Sequence, residues 1–382
     1  MSKQHTAASA VLVTLALVGV GLATPVSSQA VQASRGAVRP SGTTSLLPPI
    51  VHQGTATAYA GKAKLTGTVR FSPARQGRQV VIQRRLAGRS WQKFAVKRQN
   101  RTGVVTFTAA AGRAGRPYIY RGVAARYRGL GKVPATPMSA AVWQEKFSDQ
   151  FAGTSLDLSK WDYRALGLPT DHRTRSVSAK EAVRVRDGSV QLLVKQRPGS
   201  PGKFLNGHIG THGNFSFTHG VAAARMKLQR GQGQHGAFWL QPNEARRIAG
   251  DARNSGAEID VVEYFGAGHQ NGALGSFVYN YGVLNGDGAV IRSGSVFPKA
   301  TAMLDKGDDW WKSYHVFSVE WTPTSYIFRV DGREHWRTRT GVSGVDEFLI
   351  LSLLTSDYEI PRLDRSRLPS KMNVDWVRVW QK

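Results

Sequence analysis

A short run of strand-forming residues carries three carboxylates, and it constrains the fold of this chain more than any other segment. The run is GAEIDVVEYFG at positions 256–266, and its acids are Glu258, Asp260 and Glu263. Its β-branched and aromatic residues predict a strand, and alternate residues of a strand share one face. Glu258 and Asp260 therefore point the same way, whereas strict alternation turns Glu263 to the other side.

A β-bulge at Val261 and Val262 returns Glu263 to the face of the other two acids, and bulges re-aim side chains beside active sites. Two carboxyl groups on one face suit retaining glycoside hydrolysis, in which one attacks the anomeric carbon and the other protonates the leaving oxygen. Asp260, between them, would hydrogen-bond the nucleophile and keep the outer acids in different protonation states. A solvated or metal-binding acidic strand face is the alternative interpretation.

The charge of the chain is unevenly distributed. No Asp or Glu occurs before Glu145, whereas the first 144 of the 382 residues contain 21 Lys and Arg, so most of the net charge of +27 lies in the N-terminal third. The chain is long enough for two or more domains with a sizeable core. It has no cysteine, which excludes disulfides and thiolate metal sites.

Residues 1–30 are typical of a secretory signal peptide. Lys3 precedes an apolar stretch at 7–23, and Ser28-Gln29-Ala30 is a small-residue cleavage site. We therefore predict a secreted protein, extracellular or associated with the cell wall, without a membrane span once the signal is removed. Cleavage after Ala23 and an uncleaved N-terminal anchor are the alternatives.

The remainder divides by composition into three parts. Residues 31–50 are rich in Ser, Pro, Gly and Ala and predict a linker. Short alternating runs at 51–137 predict a small basic β-sandwich of immunoglobulin-like type. Residues 138–382 again alternate with period two, have tight-turn signals at Asp187-Gly188 and Asp331-Gly332, and predict a single all-β sandwich or barrel.

The basic module predicts an anionic partner, because a field of one sign attracts polyanions. Anionic cell-wall polymers, acidic polysaccharides and membrane surfaces all fit this charge, and a merely solubilising basic surface is an equal alternative. Nucleic acid is not expected, because the chain carries an export signal and lacks a recognisable nucleic-acid module. We expect a monomer, and we expect deletion of residues 51–137 to spare activity on soluble oligosaccharides.

Residues 147–382 resemble glycoside hydrolase family 16 along their whole length. The similarity rests on segments in the family's order: FSDQFAGTSLDLSKW, GQHGAFWLQP, AEIDVVEYFG with its ExDxxE pattern, YHVFSVEWTPTSYIFRVDGREHWR and MNVDWVRVW. The resemblance implies a concanavalin-like β-jelly roll. It also implies Glu258 as nucleophile, Glu263 as general acid/base and Asp260 as the assisting acid. The bulged motif implies an endo-acting β-1,3- or mixed β-1,3/1,4-glucanase.

Further substrate contacts are predicted around these acids, since aromatic rings stack on the apolar faces of sugars. The candidates are Phe238, Trp239, His235, Asn206, Tyr279 and Arg175, with Arg173 beside the last. Most other tryptophans, including Trp310, Trp311, Trp321 and Trp376, are expected in the core. Where the family usually has Trp-Pro, this chain has His235-Gly236, and Val278 or Tyr279 replaces a frequent His.

No cofactor is required by this chemistry. The family resemblance allows a structural calcium ion, although no acidic loop specifies one. A metal site at His208 and His212 is not expected, because the intervening glycines argue against the helix that would pair them.

Two other functions remain open. A non-catalytic glycan-binding protein is disfavoured by the three intact acids. A family 16 enzyme for agarose or carrageenan would need Arg and Lys near the cleft if its substrate is strongly anionic.

Overall fold

The computed structural model describes residues 39–270, 273–284, 290–297 and 300–382. The predicted signal peptide and residues 31–38 of the predicted linker lie outside them. The linker prediction is wrong for its second half, because Ser41–Val51 is a strand. Its alternate residues Leu46 and Ile50 are buried, a period-two pattern that the Ser- and Pro-rich composition concealed.

The described elements are almost all strands. In chain order they are β1 (Ser41–Val51), β2 (Lys64–Ser72), β3 (Gln79–Leu86), β4 (Gln92–Arg98), β5 (Val104–Ala109), β6 (Gly112–Arg113), β7 (Arg116–Ala124), β8 (Val133–Pro134), β9 (Met138–Ser139), β10 (Gln144–Asp149), β11 (Asp162–Tyr163), β12 (Ser176–Ser178), β13 (Val183–Arg186), β14 (Ser189–Gln196), β15 (Phe204–Gly210), β16 (Gly220–Lys227), β17 (His235–Pro242), β18 (Ala257–Tyr264), β19 (Leu274–Leu284), β20 (Val290–Val296), β21 (His315–Thr322), β22 (Ser325–Val330), β23 (Arg333–Thr338), β24 (Glu347–Leu354) and β25 (Ser370–Gln381). One short α-helix, α1 (Ala252–Ser255), precedes β18. Single 3₁₀ turns occur at Ala60–Lys62, Ala140–Val142, Lys180–Ala182, Ala300–Met303, Ile360–Arg362 and Arg365–Arg367.

The N-terminal region consists of two small sheets. One has the order β1-β2-β5, and the other has the order β4-β3-β7-β6 with β8 and β9 paired to β7. Apolar residues from both sheets, among them Val69, Phe107, Val80, Ile82 and Tyr120, form one hydrophobic core. The region is therefore a two-sheet all-β structure, and its immunoglobulin-like type stays a prediction.

The C-terminal region is a large folded sheet. Its strands follow the order β20-β19-β18-β17-β24-β15-β14-β25-β16-β21-β22-β23. Strand β15 joins the two halves, since its first residues pair with β14 and its last residues pair with β24. Ile259 and Leu351 from one half share a single core with Val377 and Phe317 from the other, so the halves pack face to face as a sandwich.

Both predicted tight turns are confirmed. Asp187 and Gly188 have φ of 53° and 68°, and Asp331 and Gly332 have φ of 48° and 75°. Two successive residues at positive φ define the turn that matches strand twist in a two-residue hairpin. The turns accordingly connect β13 to β14 and β22 to β23.

The tryptophan predictions are also confirmed for three residues. Trp310, Trp321 and Trp376 are buried, whereas Trp311 is partly exposed. No helix within the described ranges is long and apolar enough to cross a membrane.

The N-terminal segment is packed against the large sandwich. The guanidinium of Arg225 on β16 is 1% exposed and pairs with Asp375. It also donates to the carbonyl oxygens of His52 at 2.6 Å and Ala56 at 3.1 Å, and Ile50 joins a core cluster with residues of β16 and β25. Residues from Pro40 to Lys382 form one compact unit, so these contacts cross the boundary predicted after residue 137.

Candidate active site

Strand β18 contains the predicted β-bulge. Against β19, Asp260 pairs with Phe277 and Glu263 pairs with Gly275, so Val261 and Val262 together oppose a single residue, Ser276. The Ser276 hydroxyl donates to the Val261 carbonyl oxygen at 2.8 Å, which satisfies a backbone group that the interrupted ladder leaves unpaired.

The bulge separates apolar and acidic side chains onto opposite faces. Ile259, Val261 and Val262 all lie in the sandwich core. Glu258, Asp260 and Glu263 therefore face away from the core and line one pocket of about 310 Å³ of empty space. The other lining residues are Arg173, His235, Ala237, Trp239, Ser352 and Leu354. The structure thus brings together the three predicted acids, Trp239 and His235.

Two side chains hold the carboxylate of Glu258. Gln241 Nε2 donates to Glu258 Oε2 at 2.7 Å, and the Tyr281 hydroxyl donates to the same oxygen at 3.3 Å. Neither residue was predicted from the sequence. Alternation offered a signal for both, because Gln241 follows Trp239 by two positions and Tyr281 follows Tyr279 by two.

Burial raises the pKa of all three acids, and repulsion from the neighbouring acids of the strand adds to this effect at Glu258 and Asp260. The pKa of Asp260, the most deeply buried of them, is raised well above its ordinary value. At Glu258, the hydrogen bond from Gln241 lowers the pKa and so opposes the effect of burial, because it favours the charged form of the carboxylate. The environment therefore favours the protonated form more strongly at Asp260 than at Glu258.

The pKa of Glu263 is raised by burial, while the neighbouring charge of His235 acts in the opposite direction and that of Glu359 reinforces burial. His235 Nδ1 lies 2.8 Å from Glu359 Oε2, and both side chains are buried. Burial by itself lowers the pKa of His235, but the Glu359 carboxylate outweighs it and raises that pKa. The sequence placed His235 in the cleft but gave no indication of Glu359, which lies 124 positions away.

Trp239 forms a partly exposed wall of the pocket. Its Nε1 donates to Ser352 Oγ at 3.1 Å. Its ring stacks on that of His208, with centroids 6.0 Å apart and an interplanar angle of 20°. Both contacts fix the indole while the pocket side stays available for a sugar ring.

Phe238 and Asn206 do not reach the pocket. Phe238 is 0% exposed and belongs to the sandwich core, so its predicted substrate contact is wrong, because the residue alternates with Trp239 and faces the other way. Asn206 is buried on β15, where its amide donates to Ser176 Oγ at 3.0 Å. It is absent from the pocket lining, and its contact with substrate stays a prediction.

Tyr279 lies beside the acids, whereas the predicted substrate contact of Arg175 stays a prediction because Arg175 does not line the pocket. Tyr279 is opposite Glu258 in the register of β18 and β19, whereas Val278 is in the core, so Tyr279 is the residue on the acid face. Arg175 is exposed and forms an ion pair with Asp357 at 3.5 Å. Arg173, two positions earlier, lines the pocket instead.

The two histidines considered for a metal site contact different aromatic residues. His208 is buried behind Trp239, with Nδ1 3.3 Å from Ser178 Oγ, whereas the ring of His212 packs edge-on against that of Phe348. Burial, with neighbouring positive charges, lowers the pKa of His208 to about 3. In the described part of the chain, no group of three His, Asp or Glu side chains is arranged to hold a metal ion. The structural calcium stays a prediction.

Comparison with known proteins relates the chain to one family of glycoside hydrolases. Residues 170–349 match the model of the family described as Glycosyl hydrolases family 16. The glucan endo-1,3-beta-glucosidase A1 of Niallia circulans is 27% identical over 280 residues, covering 65% of this chain and 39% of that protein. The keratan-sulfate endo-1,4-beta-galactosidase of Sphingobacterium multivorum is 25% identical over 260 residues, covering 65% of this chain and 57% of that protein.

A solved structure supports the fold. The X-ray structure of the endo-beta-1,3-glucanase from Pyrococcus furiosus superposes with a TM-score of 0.51 at 22% identity, and it covers 63% of this chain and 94% of that chain. The predicted jelly-roll class is confirmed. The chain spans well under two thirds of the length of the two curated relatives.

Proposed function

Because this chain contains a glycoside hydrolase family 16 domain, we propose that it is a retaining endo-glycosidase. The observation that carries the proposal is the bulge at Val261 and Val262, which places Glu258, Asp260 and Glu263 in one pocket. Retaining hydrolysis needs one ionised and one protonated carboxyl group beside the same glycosidic bond. Burial raises the pKa of Glu263 and so favours its protonated form, while the hydrogen bond from Gln241 favours the charged form of Glu258.

In the first step, the Glu258 carboxylate attacks the anomeric carbon, and Glu263 donates its proton to the glycosidic oxygen as the bond breaks. Gln241 and Tyr281 hold Glu258 in place through hydrogen bonds to Oε2. Asp260 keeps a proton because of its burial and its charged neighbours. In the second step, Glu263 takes a proton from water, which attacks the glycosyl-enzyme ester and releases a sugar of unchanged anomeric configuration.

The proposed substrate is a β-1,3-glucan or a mixed β-1,3/1,4-glucan. The name of the Niallia circulans relative supports a β-1,3-glucan, and so does the bulged form of the acidic motif. Trp239 provides an aromatic surface next to the acids, as expected for a site that stacks a neutral sugar ring. We also propose that the protein is exported, on the strength of the N-terminal sequence.

A sulfated or otherwise anionic galactan is the second candidate. Arg173 lines the acid pocket, and the positive charge of Arg292 acts on Asp260 and Glu263. A cationic cleft favours an anionic chain, and the name of the Sphingobacterium multivorum relative specifies such a substrate.

A panel of soluble polysaccharides tests both candidates. Laminarin, mixed-linkage glucan, agarose, carrageenan and keratan sulfate are incubated with the full chain, and the linkage of the released products is determined. NMR of the first product should show the β-anomer. Release from the glucans supports the first candidate, and release from the galactans alone supports the second. The Glu258→Gln variant is the control. If the wild-type chain releases no more product than this variant from any of the polysaccharides, the assignment as a hydrolase is overturned.

A further inference from the structure

A cluster of arginines surrounds Trp91 on the N-terminal region, far along the chain from the acids. The guanidinium carbon of Arg121 lies 4.1 Å from the centroid of the Trp91 ring, and that of Arg85 lies 4.7 Å from it. Arg121 Nε also donates to Gln83 Oε1 at 2.9 Å. We call these four residues the Trp91 face.

The Trp91 face lies on the outer side of its sheet. Val80 and Ile82 of β3 are fully buried in the core, so the alternate residues Gln83 and Arg85 point outward. On β7, the buried Tyr120 faces the core, and Arg121 pairs with Gln83 in the register. All the named side chains of the face are partly exposed.

The positive charge of this face has no counter-charge nearby in sequence. The region from Pro40 to Pro137 contains no Asp or Glu. Among the ion pairs of the described residues, none involves a side chain of that region. The guanidinium groups are instead oriented by the indole and by Gln83, which leaves their charge available to a partner.

We propose that the Trp91 face binds an anionic polysaccharide, one whose repeating sugars carry carboxylate, sulfate or phosphate groups. A guanidinium presents paired donors that match each of these anions. An adjacent indole contacts the apolar face or edge of a sugar. The combination selects an acidic sugar over an isolated anion, because charge and ring are recognised side by side. The site does not depend on the proposed hydrolase activity.

Titration calorimetry at a fixed 150 mM NaCl tests the proposal with the full chain. The probes are polygalacturonate and dextran sulfate, which distinguish carboxylate from sulfate, with neutral dextran as the uncharged control and duplex DNA as the competing polyanion. We expect binding to at least one acidic polysaccharide and none to neutral dextran. Removing both guanidiniums, as Arg85→Gln with Arg121→Gln, should weaken it by at least about tenfold. Trp91→Ala should weaken it with the net charge unchanged.

The matched control is Arg75→Gln with Arg101→Gln. Both residues are exposed and lie next to the end of the β3-β4 hairpin opposite Trp91, so the pair removes the same charge without touching the face. An equal loss in this control would show a general effect of net charge and overturn the site. Tighter binding to DNA that depends on the same residues would overturn the polysaccharide assignment. If the Gln pair does not fold, Arg85→Lys with Arg121→Lys keeps the charge and should still weaken binding.

Discussion

The imidazole of His235 and the carboxylate of Glu359 form a buried pair, Nδ1 to Oε2 at 2.8 Å, beside the acid Glu263. Glu359 Oε2 also accepts the backbone N–H of Ser356 at 2.9 Å. The pair is thus anchored to the backbone on one side and presents a charged ring to the proposed acid/base on the other. His235 stands where the family usually has a Trp-Pro pair, and its charge therefore influences the pKa of Glu263.

His235→Ala should shift the alkaline limb of the pH–activity profile to higher pH. Burial raises the pKa of Glu263, while the His235 charge lowers it and the Glu359 charge raises it. Removing the histidine leaves both raising effects, so Glu263 keeps its catalytic proton to a higher pH. The measurement is kcat/KM against pH. The control is His269→Ala, which changes a partly exposed histidine outside the acid pocket. An unshifted alkaline limb in His235→Ala would show that the charge of His235 does not influence the pKa of Glu263.

Gln241→Met should shift the acidic limb to higher pH. The variant keeps the side-chain length but loses the 2.7 Å hydrogen bond to Glu258. Burial raises the pKa of Glu258 and this hydrogen bond opposes it, so its loss makes the nucleophile protonate at a higher pH. Activity should fall more at pH 5 than at pH 7. Tyr281→Phe removes the longer 3.3 Å bond and should give a smaller shift, and the reverse order would contradict this ranking.

Glu258→Gln and Glu263→Gln should each lower kcat/KM by at least about 10²–10⁴-fold. The amide keeps the shape of the side chain but neither attacks an anomeric carbon nor donates a carboxylic proton. The midpoint of thermal unfolding should not decrease, because a neutral amide replaces a carboxyl group whose charged form burial disfavours. Turnover like that of the wild type in either variant would refute the assigned mechanism.

Glu347→Gln should flatten the pH dependence of stability. Glu347 is fully buried, and burial raises its pKa from the ordinary value of 4.5 to about 8. The unfolded chain releases this proton near pH 4.5 and the folded chain near pH 8, so the free energy of unfolding decreases as pH rises between these values. Urea unfolding at pH 5, 6.5 and 8 checks this, with the exposed Glu244→Gln as control. A slope in Glu347→Gln as steep as in the wild type would disprove it.

Deletion of residues 40–137 should destabilise the large sandwich rather than spare it. The deletion would remove the acceptors of Arg225 at His52 and Ala56, although the ion pair with Asp375 remains. It would also expose to water the apolar residues of β16 and β25 that Ile50 covers, and exposing apolar surface destabilises a fold. Activity on soluble oligosaccharide should therefore decrease because the domain unfolds at a lower temperature. A deletion variant with unchanged unfolding would restore the sequence-based expectation of a dispensable module.

The amino-acid sequence determined the features that depend on local pattern. Alternation along 256–266 predicted the strand, and the spacing of Asp260 and Glu263 required the bulge that the pairing of β18 shows. The two Asp-Gly turns followed from backbone preferences at adjacent residues. These features were predictable because each depends on residues only a few positions apart.

Other features depended on contacts between distant segments. Trp239 and Phe238 were indistinguishable as aromatic candidates until the register of β17 assigned one to the pocket and the other to the core. Glu359 and Arg225 acquired their roles from partners 124 and 173 positions away. A side chain's burial and its charged neighbours are set by the packing of the whole sandwich. Tertiary structure alone therefore decided how the pKa of each acid is shifted.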